Sequence, residues 1–218
     1  VWDLNGKKYI DMAQMGMGSS MLGYSNSEVD HFVKKAIDKG INTTLNATEE
    51  VKLAEKLIKL NKFSGGVKFS RTGGEAMSIA VRIARSFTNK KTIAFSGYHG
   101  WHDWYLATNL SNKNNLNKHL LPGLSPKGVL KELEGTILPF AYNDVDDFKN
   151  VLNKNKNIGI VIVEGARYEY PSKKFVESIN KEIKKRKLIL IVDEITSGFR
   201  ASNSGTYAVS GLKPDIVV

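Results

Sequence analysis

The stretch from Leu188 to Arg200 carries the residue types best suited to chemistry in this sequence. It reads Leu-Ile-Leu-Ile-Val-Asp-Glu-Ile-Thr-Ser-Gly-Phe-Arg, an apolar run followed directly by two acids. Such a run predicts a strand buried on both faces, and open α/β sheets bind ligands at the carboxyl ends of such strands. Side chains alternate along a strand, so Asp193 and Ile195 should share one face and Glu194 the other. A carboxylate beside an apolar side chain suits a flat, aromatic, partly cationic ligand, unless Asp193 only caps the following turn.

A second motif, Phe69-Ser-Arg-Thr-Gly-Gly-Glu-Ala-Met77, joins a predicted strand to a predicted helix. Free backbone N–H groups, the positive end of the helix dipole and the Thr72 hydroxyl together suit a phosphate. Gly73 and Gly74 would let that phosphate reach the main chain. The motif is neither a Walker loop nor a G-x-G-x-x-G fingerprint, which argues against nucleoside triphosphates and dinucleotides. The alternative is a glycine-rich turn in which Thr72 is a simple helix cap.

A third motif, Phe95-Ser-Gly-Tyr-His-Gly-Trp-His-Asp-Trp-Tyr105, follows the second strand of the predicted sheet. It places aromatic residues and two histidines in a loop punctuated by glycines, and Tyr98 could stack on a ring ligand. His99 and His102 lie three residues apart with only Asp103 adjacent, which is a poor metal-ligand set. We therefore predict no metal site here and expect these histidines to make structural hydrogen bonds.

The three motifs together describe one ligand, with a phosphate, a flat ring and a basic ring nitrogen. Pyridoxal 5′-phosphate (PLP) has all three. An aspartate beside its pyridine nitrogen keeps that nitrogen protonated, so that the ring can accept electrons from a carbanion.

Composition limits the alternatives. The sequence has 218 residues, 41% of them hydrophobic, enough for one large domain or a domain with an appendage. It has no cysteine, which excludes disulfides and thiolate catalysis within these residues and fits a cytoplasmic location. No apolar run approaches the roughly 20 residues needed to cross a bilayer, so no membrane association is predicted.

The net charge of +10 raises the question of a nucleic-acid partner or an anionic substrate. The lysines are spread over predicted helix faces, and the densest run is Lys173 to Lys187. Apolar residues recur at helical spacing within that run, and no aromatic-basic pattern of an RNA-binding kind accompanies it. A solvated helix face is the favoured interpretation, and no nucleic-acid partner is predicted.

The order of elements predicts an α/β fold with three layers, α/β/α. Trp2 to Ile10 is predicted as a hairpin with a type I′ turn at Asn5-Gly6, and two amphipathic helices follow. Beyond them strands and helices alternate, which is typical of a mostly parallel sheet covered by helices on both faces. The predicted strands are Val67–Ser70, Thr92–Phe95, Thr136–Pro139, Gly159–Val163, Leu188–Val192 and Asp215–Val218. The predicted helices are Asn26–Lys39, Thr48–Leu60, Gly74–Phe87, Asp144–Asn153 and Ser172–Lys187.

Two long loops are distinguished by composition. Met12–Tyr24 is rich in Met, Gly and Ser, and either lines a pocket or simply crosses between elements. The asparagine-rich segment from Asn109 to His119 is expected to be a solvated loop. Met12–Tyr24 and Asn109–Gly123 are two of the segments on which we expect substrate specificity to depend.

Taken in order, the motifs resemble the class III PLP-dependent aminotransferases of fold type I, and most of all their glutamate-1-semialdehyde aminomutase-like branch. The resemblance covers nearly the whole chain. It is carried by Val1-Trp-Asp with Gly6 and Tyr9-Ile-Asp11, Leu22-Gly-Tyr24, Thr72-Gly-Gly-Glu-Ala76, Gly97-Tyr-His-Gly100, Val163-Glu164 and Asp193 to Arg200.

The resemblance implies roles for individual residues. Asp193 would pair with the pyridinium nitrogen and act in catalysis. Tyr98 would stack on one face of the cofactor ring, and Ile195 would pack on the other. The implied cofactor-binding set is Thr72, Gly73, Gly74, Tyr98, His99, Glu164, Asp193, Ile195 and Thr196, of which the first three would hold the phosphate. Residues 47–218 would form an incomplete PLP-binding large domain, and residues 1–46 would belong to a small domain and an interface.

The sequence departs from the family pattern at several places. Thr72-Gly73-Gly74 stands where serine-glycine-threonine is common, Gly165 where proline is usual, and Thr196 where many relatives have glutamine. The Schiff-base lysine of the family follows a strand that resembles Pro214–Val218, at which this sequence ends. We therefore interpret the chain as a fragment that lacks transaminase activity by itself.

The activity that the resemblance implies for the longer enzyme is movement of an amino group between an amino acid or amine and a carbonyl acceptor, in a homodimer. The second possibility is a non-catalytic α/β domain that binds a phosphorylated metabolite or nucleic acid. A racemase or decarboxylase on the same fold is the third. A binder of phosphate alone needs neither a stacking aromatic residue such as Tyr98 nor Asp193, whereas PLP needs both.

Overall fold

The computed structural model describes residues 1–13, 18–42, 44–119 and 122–218. They form two compact units, Val1–Leu53 and Ala54–Val218. The functional assignment of residues 1–46 and 47–218 to separate domains stays a prediction. Both loops expected to set specificity extend partly outside the described residues, at 14–17 and at 120–121.

The first unit begins with the expected hairpin, in which Trp2 and Lys8 form an antiparallel bridge. Its turn differs from the predicted type I′ because only Gly6 of the Asn5-Gly6 pair takes a positive φ, of 78°. The Asp3 carboxylate accepts the N–H groups of Asn5 and Lys7 at 2.9 Å each, and the Asp3 carbonyl accepts that of Gly6 at 3.0 Å. An aspartate that bonds its own following backbone selects this turn over the mirror-image one.

Two helices follow the hairpin, α1 (Ser27–Asp38) and α2 (Thr48–Leu60), close to the predicted bounds. Asn26 caps α1 by accepting the N–H of Val29 at 3.1 Å. The apolar stripe predicted for α1 is exposed rather than buried, with Phe32 at 64% exposure. Periodicity identified the helix, but no described element of its unit covers that face.

The second unit is built on a five-stranded parallel sheet with the order β2-β1-β3-β4-β5. Its strands are β1 (Thr92–Ser96), β2 (Ile137–Pro139), β3 (Ile158–Glu164), β4 (Ile189–Asp193) and β5 (Ile216–Val217). Every residue of β1 and β3 is buried, as expected for strands covered on both faces.

The strand predicted at Val67–Ser70 is wrong: these residues belong to no strand of the described sheet. Their side chains do alternate, with Val67 and Phe69 half-buried and Lys68 and Ser70 exposed. The pattern therefore gave the extended conformation, but a strand also requires a hydrogen-bonded neighbour, and no described segment pairs with this one.

Helices cover both faces of the sheet, which confirms the predicted three-layer α/β/α architecture. Helix α3 (Gly73–Thr88) and the short helices α4 (Asp103–Leu106) and α5 (Thr108–Ser111) accompany one face. Helices α6 (Val145–Lys154) and α7 (Lys173–Arg186) pack on the other, with residues of α8 (Thr206–Ser210). A 3₁₀ helix spans Lys131–Leu133. Among the described residues, no helix is both long enough and apolar enough to cross a membrane.

The asparagine-rich segment is not a uniformly solvated loop, contrary to the prediction. Asn109, Leu116 and His119 are all buried. The Asn109 side chain accepts the N–H of Leu116 at 3.0 Å and donates to the Leu124 carbonyl at 2.7 Å. A buried amide that bonds two backbone groups folds this segment onto the sheet, because its polar atoms are satisfied without water.

Candidate active site

Two buried carboxylates lie side by side at the C-terminal edge of the sheet. Glu164 is the last residue of β3 and Asp193 the last of β4, and the two are register partners across neighbouring parallel strands. Their residues are 5% and 4% exposed. Buried carboxylates are costly unless they are hydrogen-bonded or paired, so their partners define the site.

Asp193 is held on both of its oxygens. Its Oδ2 lies 2.8 Å from Nδ1 of His99, and its Oδ1 accepts the N–H of Ile195 at 3.0 Å. The other imidazole nitrogen, Nε2, lies 3.2 Å from the Ser96 carbonyl. His99 thus makes the structural hydrogen bonds expected of it, and the pair is fixed to the end of β1.

Glu194 faces the opposite way, as strand alternation predicted. Its Oε1 accepts the N–H of Tyr207 at 2.7 Å and its Oε2 accepts the Ser197 hydroxyl at 2.5 Å. Its carboxyl group also fills the space that a Cβ would take at Gly165 and Gly205. Glu194 therefore holds Ser197 and Tyr207 near each other through these hydrogen bonds, whereas Asp193 faces His99.

The Thr72 turn is a capping box at the start of α3. The Thr72 hydroxyl accepts the N–H of Glu75 at 3.2 Å, and the Glu75 carboxylate accepts the N–H groups of Arg71 and Thr72 at 2.9 and 3.3 Å. The cap interpretation is therefore correct for the hydroxyl as an acceptor. The amides of Gly73 and Gly74 have no acceptor among the described residues, and the Thr72 O–H remains a donor.

Close packing joins this turn to the other two motifs. A Cβ built on Gly73 would lie 2.7 Å from Cδ1 of Ile195. A Cβ built on Gly100 would lie 3.2 Å from Cα of Gly74, and one on Gly74 would lie 2.7 Å from the His102 ring. Glycine at these positions is what allows the three segments to meet. The structure thus gathers the Thr72 turn, the aromatic loop and the end of β4 into one place.

Tyr98 is carried by a backbone clamped from several sides. Gly97 has φ of 119°, and a Cβ there would lie 2.6 Å from the Glu164 side chain. The N–H of Tyr98 donates to Glu164 Oε2 at 3.3 Å. The Gly97 carbonyl accepts the Tyr105 hydroxyl at 3.0 Å, and the Gly97 N–H donates to Nδ1 of His119 at 3.3 Å. Gly97 must therefore be glycine, and its fixed backbone positions the Tyr98 ring.

Burial sets the protonation state of the two side chains that hydrogen-bond to Gly97, those of His119 and Tyr105. It lowers the pKa of His119 to about 4, with a smaller contribution from the charge of His99, so His119 is neutral near pH 7 and Nδ1 can accept a hydrogen bond. Burial likewise raises the pKa of Tyr105 well above its usual range, and Glu164 raises it further. Tyr105 therefore remains a hydroxyl donor to Gly97.

Arg167 belongs to the site although sequence reasoning did not select it. Its Nε donates to both oxygens of Glu164, at 2.8 and 3.0 Å, and its Nη2 donates to Oε1. The guanidinium lies over the Tyr98 ring, 5.9 Å from the ring centroid. Partial burial lowers the pKa of Arg167, but the hydrogen bonds and charge of Glu164 outweigh this and raise it.

The whole chain, residues 1–218, matches the family described as aminotransferase class-III. The chain belongs to the class-III aminotransferase family. Two curated relatives are 34% identical to it: the 3-aminobutyryl-CoA aminotransferase of Cloacimonas acidaminovorans, over 99% of this chain and 50% of the relative, and the glutamate-1-semialdehyde 2,1-aminomutase of Nitrosopumilus maritimus, over 99% and 51%. The chain therefore spans about half the length of the curated relatives it matches.

Solved structures show the same fold. One described as a transaminase with PLP bound superposes with a TM-score of 0.86 at 23% identity, over 99% of this chain and 51% of that one. A β-phenylalanine aminotransferase from Variovorax paradoxus gives a TM-score of 0.78 at 23% identity, over 99% and 47%. The resemblance to class-III aminotransferases that the motifs indicated is confirmed, and so is the predicted fold.

Two departures from the class-III pattern have distinct structural outcomes. Gly165 donates its N–H to the Asp193 carbonyl at 2.8 Å, a bond that the usual proline cannot make. Thr196 is half-buried, and its carbonyl accepts Nε of Arg200 at 2.6 Å. Of the predicted site residues, Thr196 is the one for which the described contacts give the side chain no part in the cluster.

Proposed function

We propose that the protein binds PLP at this edge of the sheet, and that the natural full-length protein containing this chain moves an amino group between an amino acid or amine and a carbonyl acceptor. The observation that carries the proposal is the setting of Asp193. It is buried at the end of β4 and hydrogen-bonded to His99. It also adjoins Ile195, which packs against Gly73 in the Thr72 turn.

The residues present fit the cofactor. The amides of Gly73 and Gly74 and the Thr72 hydroxyl would hold its phosphate. Ile195, which is 48% exposed, would cover one face of the ring and Tyr98 the other. When bound, PLP supplies an electron-accepting ring that stabilises negative charge on the substrate carbon attached to nitrogen.

The chain's own residues then have separate tasks. Asp193 would hold a proton on the ring nitrogen, because an ionised carboxylate favours the charged form of a base beside it. His99 keeps that carboxylate in one orientation through the bond from Nδ1. Glu164 supports Tyr98 by accepting its backbone N–H and fills the space beside Gly97.

The relatives narrow the chemistry but do not select a substrate. One is named an aminotransferase and another an aminomutase, at the same 34% identity. We propose an amino-group transfer of one of these two kinds, in a homodimer and in the cytoplasm. Analytical ultracentrifugation of the full-length protein and its localisation in the native cell would test the last two.

The test of the function is a PLP titration of the full-length protein, followed by absorbance and by the unfolding temperature. We expect saturable binding and activity with an amino donor, both strongly reduced in Asp193→Asn and retained in Asp146→Asn, an exposed aspartate on α6. Absence of PLP binding by the wild-type protein would refute the proposal. A salt-dependent shift of nucleic acid without PLP binding would favour the non-catalytic alternative instead.

A further inference from the structure

One edge of the Arg167 guanidinium makes no hydrogen bond to its partner, Glu164. A guanidinium has five N–H donors in a planar fork. Glu164 accepts from Nε and Nη2, which accounts for one edge of the fork. Both N–H groups of Nη1 and one of Nη2 have no acceptor among the described residues. The Arg167 side chain is 16% exposed, so part of it is open to solvent.

The ion pair makes Arg167 a rigid donor rather than a mobile one. Glu164 is buried at the end of β3, and the guanidinium lies over the Tyr98 ring. A planar cation held on one edge by a carboxylate and on one face by an aromatic ring loses little freedom when it binds a further group. Its free edge therefore has the properties of a preorganised anion site.

Charge decides which anion fits. Glu164 and Asp193 already bring two carboxylates to this edge of the sheet, against one guanidinium. A dianionic phosphate would meet repulsion from both, and the Thr72 turn offers it free amides instead. A carboxylate carries a single charge, and its two oxygens match the Nη1–Nη2 edge in a bidentate pair.

We propose that Arg167 binds the carboxylate of an amino-acid substrate, and so makes the enzyme favour amino acids over simple amines. This inference rests on the proposed function, since it assumes a substrate reacting beside Tyr98 and Asp193. It adds the chemical class of that substrate and the residue that recognises it.

The experiment uses two probes with the same reacting group. Aminooxyacetate and O-methylhydroxylamine both combine with bound PLP and change its absorbance, and they differ by one carboxylate. Their apparent dissociation constants would be measured on the PLP-loaded full-length protein and on Arg167→Met, Arg167→Lys and Arg82→Met. Arg82 is an exposed arginine on α3 and serves as the matched control.

The wild-type protein should bind aminooxyacetate more tightly than O-methylhydroxylamine. Loss of a charge-assisted pair should weaken aminooxyacetate binding about 10-fold or more relative to O-methylhydroxylamine binding in Arg167→Met. Arg167→Lys should recover part of the preference, since it keeps the charge but not the fork. Arg82→Met should match the wild type, and the absorbance of bound PLP should be the same in the wild type, Arg167→Lys and Arg82→Met.

Three results would overturn the inference. Equal weakening of both probes would assign Arg167 to general support of the site, and altered PLP absorbance in Arg167→Lys would assign it to the cofactor. An unchanged preference in Arg167→Met would exclude any role in recognition. In each case PLP still binds the wild-type protein, so the proposed function survives; failure of the wild type to bind PLP would remove both.

Discussion

Nδ1 of His99 and Oδ2 of Asp193 lie 2.8 Å apart in a buried pair that joins the loop after β1 to the end of β4. Replacing His99 by leucine removes the donor and leaves a buried carboxylate short of one partner. Hydrogen bonds to charged groups contribute roughly 1.5–3 kcal/mol, so we expect PLP affinity to fall about 10-fold or more. Asparagine at this position retains an N–H donor and should recover part of the loss.

Absorbance titration with PLP would measure these affinities, and urea unfolding would measure stability in the same variants. Equal PLP affinity in wild type and His99→Leu would show that Asp193 needs no support from His99. A loss of stability without a loss of affinity would lead to the same conclusion.

The glycines of the site should differ sharply in their tolerance of alanine. At Gly97 the φ of 119° and a Cβ contact of 2.6 Å with Glu164 both oppose a side chain. We expect Gly97→Ala to cost about 2 kcal/mol or more in the free energy of unfolding. Gly73→Ala would meet the movable Cδ1 of Ile195, so it should cost less stability and act mainly on PLP affinity.

Gly65 is the matched control, because a Cβ there meets nothing within 4 Å and its φ is not in the left-handed region. Chemical denaturation of the three variants should rank them Gly97→Ala, then Gly73→Ala, then Gly65→Ala in order of decreasing loss. A Gly97→Ala protein as stable as the control would contradict the described geometry of this loop.

Local periodicity explains why so much of the fold was predictable. The apolar run Leu188–Val192 and the helix pattern beginning at Gly74 each reflect burial over a few consecutive residues, and both elements form as expected. The position of acids that directly follow a buried strand can also be predicted, because the strand fixes where they lie. The strand prediction at Val67–Ser70 is wrong for the complementary reason. An extended conformation is determined locally, but strand pairing depends on a distant segment.

The unpredicted parts of the site depend on contacts between remote residues. His119 contacts Gly97 across 22 positions, and nothing in its asparagine-rich surroundings indicates a buried imidazole. Arg167 lies only three positions from Glu164, but in a loop this spacing carries no directional signal. Only the fold, which brings Tyr98 next to Glu164, shows that this arginine belongs to the site.

His119 should make the stability of the protein depend on acidity. Its pKa is about 4 in the folded state, against an ordinary value of 6.5. Between these values the unfolded chain binds a proton that the folded chain excludes, so stability falls as the pH falls from 6.5 towards 4. The loss from this group should reach about 3 kcal/mol at pH 4, and none of it should be present above pH 7.

His119→Asn tests this, since the asparagine oxygen can still accept the Gly97 N–H but does not titrate in this range. The variant should show a shallower fall in unfolding free energy between pH 6.5 and pH 4 than the wild type, measured by denaturant titration at each pH. His31→Asn, on the exposed face of α1, should keep the wild-type slope. Parallel slopes for His119→Asn and wild type would show that His119 is not neutral in the fold.

Glu194 should contribute to stability and only indirectly to PLP binding, although it is adjacent to Asp193 in sequence. It is 6% exposed, and its oxygens accept the N–H of Tyr207 and the hydroxyl of Ser197. In Glu194→Gln an amide nitrogen replaces one of those acceptors and faces a donor. We expect a loss of about 1–3 kcal/mol in the free energy of unfolding, against no change for Glu177→Gln, which is exposed on α7.

Because Glu194 faces away from His99, the PLP affinity of Glu194→Gln, measured under native conditions, should fall far less than that of Asp193→Asn. Equal losses in the two variants would mean that both carboxylates act on the cofactor.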